Sequence, residues 1–310
     1  MILSHNLYST YSIVACDLEA GELGAAVQTH QMCVGSKVLW LEPGVGALTT
    51  QAMANIGFGP SGLAMLAQGT QPDQVIAGLT ASDLIANRRQ VGVVNARGDA
   101  AAFTGDGCIP YAGHHVGAGY TVQANMMTRP TVIEAMRQAF EAATGDLAAR
   151  MLAALEAAQA EDGDIRGMQS TALRVVPNRL GVLEADRFVY DLRVDEHATP
   201  LAELRRLVTM RRAQMIDRRG YDALAQGDGE KGLALWAEAR AMTPRQVELA
   251  FWQGLTLAQA GGMEEGAAIL RESLADSPRR EHWLELLRRL EACGLIAQPG
   301  LAEELVKAVG

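Results

Sequence analysis

The chain has 310 residues, a formal net charge of −9, and 49% hydrophobic but only 5% aromatic residues. That length supports a sizeable core built from Ala, Leu, Val and Met, and two domains. The acidic balance argues against a nucleic-acid surface, no apolar run reaches the roughly 18 residues of a membrane helix, and the N-terminus lacks the basic region and long apolar core of a signal peptide.

Thr10 to Asp17 reads as a strand, with Thr10, Ser12 and Val14 on one face and Tyr11, Ile13 and Ala15 on the other. It turns at Glu19-Ala20-Gly21-Glu22 into a second strand, Leu23 to Thr29. This hairpin carries a hydroxyl residue at its first position, where N-terminal-nucleophile hydrolases keep their reactive group; the same residues also fit an ordinary core hairpin. Lys37 to Leu41 and Val45 to Gln51 continue as strands around Glu42-Pro43-Gly44. Ala52 to Gly62 reads as a loop feeding a helix from Ser61 to Gln68, and Pro72 opens another through Leu79. Gln90 to Val94 and Ala100 to Thr104 form a second hairpin. Gly105 to Gly119 reads as loop with short strand pieces. Thr128 and Pro130 lead into a helix over 131–143, and Leu147 to Ala160 forms an antiparallel partner. Ser170 to Val176 and Arg187 to Val194 return as strands, and Pro200 opens a further helix. Hairpins, a helix pair and more strands, without βαβ alternation, define an α+β class.

From residue 213 the pattern is all-helical, so the expected domains are 1–212 and 213–310. A period of 34 residues relates Gly220 to Gly254, Gly227 to Gly261, Gly232 to Gly266 and Pro244 to Pro278, with Trp236 and Leu270 in matching apolar positions. Such a period fits two tetratricopeptide-like helix pairs followed by capping helices at Trp283–Cys293 and Leu301–Val309. Two repeats are fewer than the roughly three that stand alone, so the module is expected to dock on the first domain, serving partner contact, dimerisation or stability only.

Several ordered strings carry a wider resemblance. They include Thr10-Tyr11-Ser12-Ile13-Val14-Ala15, Pro43-Gly44-Val45-Gly46-Ala47, Thr50-Gln51-Ala52 with Asn55, and Arg89-Gln90-Val91-Gly92-Val93-Val94. They continue through Phe103-Thr104-Gly105 with Cys108, Thr121-Val122-Gln123 with Asn125, Gly163-Asp164-Ile165-Arg166-Gly167 with Gln169-Ser170, and Asp191-Leu192-Arg193-Val194-Asp195. The first domain thereby resembles the bacterial family known as domain of unknown function ten twenty-eight, grouped with the N-terminal-nucleophile (Ntn) hydrolases, relatives of the proteasome subunits. Ala124, Met168 and Tyr111 depart from its usual glycine, arginine and tryptophan. The resemblance implies an αββα four-layer sandwich, followed here by the small all-α helical-repeat domain.

It also implies a chemistry. In that superfamily a Thr, Ser or Cys at the start of the mature chain attacks an amide carbonyl, with its own α-amine as general base. An α-amino pKa of roughly 7.7–8.0 suits this near neutrality, whereas an internal threonine has only a non-basic amide nitrogen. Thr10 therefore requires removal of Met1 to Ser9. The expected catalytic residues are Thr10 and Ser12. The expected binding shell is Thr29, His30, Gln51, Asn55, Gln90, Asn125, Asp164, Arg166, Gln169 and Ser170, polar residues in apolar or glycine-rich surroundings. Each also fits a loop-stabilising hydrogen bond, and Asp164 with Arg166 fits a simple ion pair.

No cofactor or metal is expected. His114 and His115 are adjacent and would point oppositely on a strand, and the Glu161 to Asp164 run lacks the length and terminal glutamate of a calcium loop. Gly117-Ala118-Gly119 lacks the rest of a dinucleotide fingerprint, and there is no Gly-x-Ser-x-Gly elbow. The four scattered cysteines (Cys16, Cys33, Cys108, Cys293) suit a reducing cytoplasm. The expected function is an Ntn-type hydrolase of a small amide or peptide-like bond. The alternative is a non-catalytic Ntn-fold protein that binds a small ligand or a protein partner. A homodimer is expected, with neither nucleic acid nor membrane as partner.

Overall fold

The computed structural model describes residues 7–310. The chain forms two compact units, one up to Val208 and one from Thr209. The first unit contains eleven strands among its described residues: β1 (Leu7–Tyr8), β2 (Thr10–Asp17), β3 (Glu22–Thr29), β4 (Leu39–Glu42), β5 (Gly46–Met53), β6 (Arg89–Asn95), β7 (Ala100–Thr104), β8 (Gly113–Gly117), β9 (Tyr120–Asn125), β10 (Ser170–Pro177) and β11 (Tyr190–Val194). Its helices are α1 (Phe58–Ala67), α2 (Pro72–Thr80), α3 (Val132–Ala142) and α4 (Leu147–Ala160). Helix α5 (Pro200–Ala225) begins in this unit and continues into the next.

Two antiparallel sheets result. One has the order β11-β10-β3-β2-β9-β8. The other runs β1-β5-β6-β7, and β4 shares the β1 side of β5. Along that side β4 pairs with residues 46–49, and β1 pairs with Ala52 and Met53. The inner faces of the sheets meet, α1 and α2 cover the outer face of one, and α3 and α4 cover the outer face of the other.

Strand alternation sets these faces. On β2, Tyr11 points out and its hydroxyl donates to Gln159 Oε1 on α4 at 2.9 Å. Ser12 points in, toward β5. Under α1 and α2, Leu48, Val91, Val93, Phe58, Leu66 and Val75 form one apolar cluster, each buried side chain contributing about 1.5–3 kcal/mol. Between the sheets, Val14, Leu23, Ala25, Val27, Ala47, Val94, Ala172 and Val176 form another. Helix α4 begins at Asp146, whose Oδ1 accepts the Ala149 amide at 2.9 Å, a side-chain cap of the first turn.

Two elements differ from the sequence reading. Helix α1 starts at Phe58, not Ser61. Its opening is rich in glycine because a Cβ on Gly59 would lie 2.1 Å from the Trp40 ring; the glycines allow close packing rather than marking a loop. Strand β9 falls where the sequence reading assigned no element; its inward residues Thr121, Gln123 and Asn125 are polar and fully or almost fully buried, so it has no apolar inner face.

The second unit is helical: the rest of α5, then α6 (Gly229–Met242), α7 (Val247–Gln259), α8 (Met263–Leu274), α9 (Arg280–Ala292) and α10 (Leu301–Val309). Its 34-residue period has a physical basis. A Cβ on Gly220 would lie 2.3 Å from Trp236, and one on Gly254 would lie 2.8 Å from the Gly266 carbonyl and 2.9 Å from Leu270. Thus α5 meets α6, and α7 meets α8, at backbone contact, with the matching Trp236 and Leu270 seated on the glycines. Gly227 and Gly261 turn the chain between the partners at φ +84° and +93°, the left-handed conformation that ends helices. No helix among the described residues is long and apolar enough to cross a membrane.

Candidate functional site

The interior of the sandwich changes character toward the start of β2. Here the residues facing across the gap are amides and hydroxyls: Ser12, Thr49, Gln51, Gln90, Gln123 and Asn125, all 0–1% exposed. Buried amides are costly unless paired, and these pair in a continuous chain.

Gln90 fixes the direction of the chain. Its Nε2 donates to Thr104 Oγ1 at 2.8 Å and to the Gly113 and Ala124 carbonyls at 2.9 Å. Its Oε1 therefore faces inward and accepts from Gln51 Nε2 at 2.7 Å and Asn125 Nδ2 at 2.9 Å. Gln51 Oε1 in turn accepts from Ser12 Oγ at 2.6 Å, and Ser12 Oγ accepts from Gln123 Nε2 at 2.7 Å. Gln123 closes the chain on Thr49 Oγ1 and Thr121 Oγ1 at 3.0 and 2.8 Å. Gln123 can lie flat on β6 because Gly92 is there: a Cβ would sit 2.4 Å from its Oε1. At the outer end, Thr104 Oγ1 meets His114 Nδ1 at 2.9 Å. Burial and the neighbouring His115 hold His114 below the usual histidine pKa.

A second cluster surrounds the peptide bond between Ser9 and Thr10, both 0% exposed. The Ser9 carbonyl oxygen accepts from the Thr29 hydroxyl and, at 3.3 Å, from Arg166 Nη2. Arg166 is oriented by Asp164, with Nη2 to Oδ2 at 2.9 Å and Nε to Oδ1 at 3.2 Å. Asp164, itself 1% exposed, also accepts the His30 and Arg166 amides at 3.1 and 2.9 Å. Ser9 Oγ donates to the Asn125 carbonyl at 3.1 Å. The two clusters meet at Thr10, whose carbonyl lies 3.2 Å from Gln51 Nε2 and 3.5 Å from Asn125 Nδ2. Behind it, burial and then the Asp164 charge raise the Tyr11 pKa well above that of an ordinary tyrosine.

The structure thus gathers Thr10, Ser12, Thr29, Gln51, Gln90, Asn125, Asp164 and Arg166 in one region, with the His30 backbone at its rim. The other sequence-predicted residues serve elsewhere. Asn55 Oδ1 caps the turn into α1 through the Gly57 amide at 3.1 Å. The Ser170 hydroxyl donates to the Gln31 carbonyl and accepts the Val34 amide, securing the loop after β3. Gln169 extends the ladder, its amide donating to the Thr29 carbonyl at 3.0 Å. Ser12 bonds to Gln51, Gln123 and Thr49, none of which is a base.

Sequence reasoning missed Ser9, Thr49, Thr104 and Gln123 as members of the site. For Gln123 the signal was its place two residues before Asn125, on the same strand face.

An α+β unit of two facing antiparallel sheets, followed by several helices, therefore has its most polar buried region around the start of β2. The chain belongs to a family of unknown function (DUF1028), whose model matches residues 10–204. It is similar to the crystal structure of protein SPO2555 from Silicibacter pomeroyi, a DUF1028 protein. The identity is 33% over 64% of this chain and 84% of that one, with a TM-score of 0.58. No curated protein is a significant match.

Proposed function

We propose that this chain is the precursor of an Ntn-type amidohydrolase with the αββα sandwich of that superfamily, in which Thr10 becomes the nucleophile once the Ser9–Thr10 bond is cut. The observation that carries this reading is the pair of donors on the Ser9 carbonyl, the Thr29 hydroxyl and the Arg166 guanidinium. They would hold the oxyanion formed when Thr10 Oγ adds to that carbonyl. The C–N bond then breaks, the nitrogen takes the proton as the Thr10 amine, and the resulting ester is hydrolysed by water, releasing the preceding segment. The freed amine is the general base that an internal threonine lacks. Gln51, Gln90 and Asn125 would set the floor for a small amide or peptide-like substrate.

Intact-mass analysis of purified, untagged protein tests this. The expected species begins at Thr10, Thr10→Ala stays full length, and Thr29→Val slows processing by about a hundredfold, the scale for one lost oxyanion donor. A stable full-length mass for the wild type sinks the reading.

The second reading, a non-catalytic ligand-binding or partner-binding protein, is favoured by the complete burial of Thr10 and by amides whose hydrogen bonds are made to one another. In either reading the helix pairs of the second unit act as a tetratricopeptide-like interaction module, and the protein works as a homodimer in the cytoplasm. The location is supported by four free cysteines, which suit a reducing compartment.

A further inference from the structure

A small pocket opens beside the amide cluster. It has a volume of about 80 Å³ and is bounded by Ala52 and Met53 of β5, the Gly107–Ile109 loop, Arg88 and Asn125. Its walls are fixed. The Met53 carbonyl accepts from Arg89 Nη1, and Arg89 Nε is closed on Asp83 Oδ2 at 2.8 Å. The loop is tied by the Gly107 amide to the Asn87 carbonyl at 2.7 Å and by the Met126 amide to the Ile109 carbonyl at 2.8 Å. Ala52 and Met126, beside the lining residues Met53 and Asn125, hold φ values of +64° and +58°. Such conformations are costly in a non-glycine residue and gather at ligand sites.

The lining is apolar apart from two groups of different kinds. Asn125 provides an amide continuous with the Thr10 cluster. Arg88 is exposed and makes no ion pair among the described residues, unlike its neighbour Arg89. No acidic side chain lines the pocket among the described residues. A cavity of about 150 Å³ holds benzene, so this one accepts roughly three or four heavy atoms, enough for a short aliphatic arm without its carboxylate.

We propose that this pocket binds the short carboxylate-bearing end of a small ligand: an aliphatic arm against Ala52, Cys108 and Ile109, with its carboxylate on Arg88. Assigning that ligand as the substrate rests on the hydrolase reading. It makes the substrate class a small amide with a carboxylate on a short arm, its reacting bond directed past Asn125 to Thr10. The anion preference of the pocket does not depend on processing. The pocket is open in the chain as described, with β1 still paired to Ala52 and Met53.

The test is titration of the untagged protein as purified, its intact mass recorded first, at low ionic strength, with butyrate and its uncharged isostere butyramide, followed by protein-observed NMR. Butyrate is expected to bind at least tenfold more tightly than butyramide. Arg88→Gln should erase that preference while leaving butyramide unchanged. Ile109→Trp, a change at an exposed position, should block both ligands by filling the mouth. Equal binding of the two ligands, retention of the preference in Arg88→Gln, or no binding of either overturns the proposal. A full-length mass together with butyrate binding removes the hydrolase and keeps the pocket; a processed chain without carboxylate preference does the reverse.

Discussion

The two ends of one sandwich interior are built on opposite principles. At one end, Val14, Leu23, Ala47, Val94 and Val176 pack as an ordinary apolar core. At the other, within the same strands, Ser12, Gln51, Gln90 and Asn125 form a closed hydrogen-bond chain. An apolar filling needs only volume and shape, and is stabilised by every methylene removed from water. A polar filling gains little net stability and is costly if any member loses its partner. Strands β2, β5, β6 and β9 thus carry an interior that hydrophobicity alone does not favour, at the place where the Ser9 carbonyl is gripped. The difference separates residues that hold the sheets together from residues that hold a geometry.

The largest effect belongs to the apolar end. Leu23→Ala removes a fully buried side chain from a close-packed layer, and should cost about 2–5 kcal/mol. Denaturant unfolding measures it, and the mass of the folded fraction should match that of the wild type. At the polar end, Gln90→Leu keeps the volume but strips partners from Gln51, Asn125 and two carbonyls. At about 1–3 kcal/mol for each buried group left unpaired, relaxation of the remaining partners should limit the total to the lower part of the leucine range. Its effect on processing should exceed its effect on stability, because Asn125 and Gln51 both reach Thr10. A Gln90→Leu protein as stable as the wild type and processed normally would erase the distinction and make the amide chain a variant of ordinary core.

The same contrast explains what the sequence could disclose. The β2–β3 hairpin, the α3–α4 pair and the 34-residue helical period were legible because alternation, caps and glycine spacing are local signals. Strand β9 was not, because its inner face is polar and the preceding segment is rich in glycine. Helix α1 was placed late because Gly57 and Gly59 look like loop residues until Trp40 is seen packed on Gly59. Among site residues, the separate amides could be picked out by type, but not the direction of their hydrogen bonds. That direction depends on the Gly113 and Ala124 carbonyls accepting from Gln90, a long-range arrangement of backbone. The contacts of Ser9 were hidden for the same reason: its carbonyl is held by Thr29 and Arg166, which are distant in sequence.

The smallest effect tests the far margin of the apolar end, where an acidic group breaks the pattern. Glu22 opens β3 opposite Asp17, and Arg150 Nη1 reaches Asp17 Oδ2 at 3.3 Å rather than Glu22. Burial first, then the charges of Asp146 and Asp17, raise the Glu22 pKa to about 7. A carboxyl whose folded pKa lies above its unfolded value binds its proton more tightly when folded. Its contribution to stability is therefore present in full below the unfolded value of 4.5 and is lost as pH rises through about 7. Urea midpoints should accordingly fall between pH 5 and pH 8. Glu22→Gln keeps the shape and removes the titration, so its midpoint should show less of this fall and should exceed that of the wild type at the upper end of the range. An identical slope in both proteins would mean that the titrating group lies elsewhere, and would leave the apolar end of the sandwich indifferent to the charge at its edge.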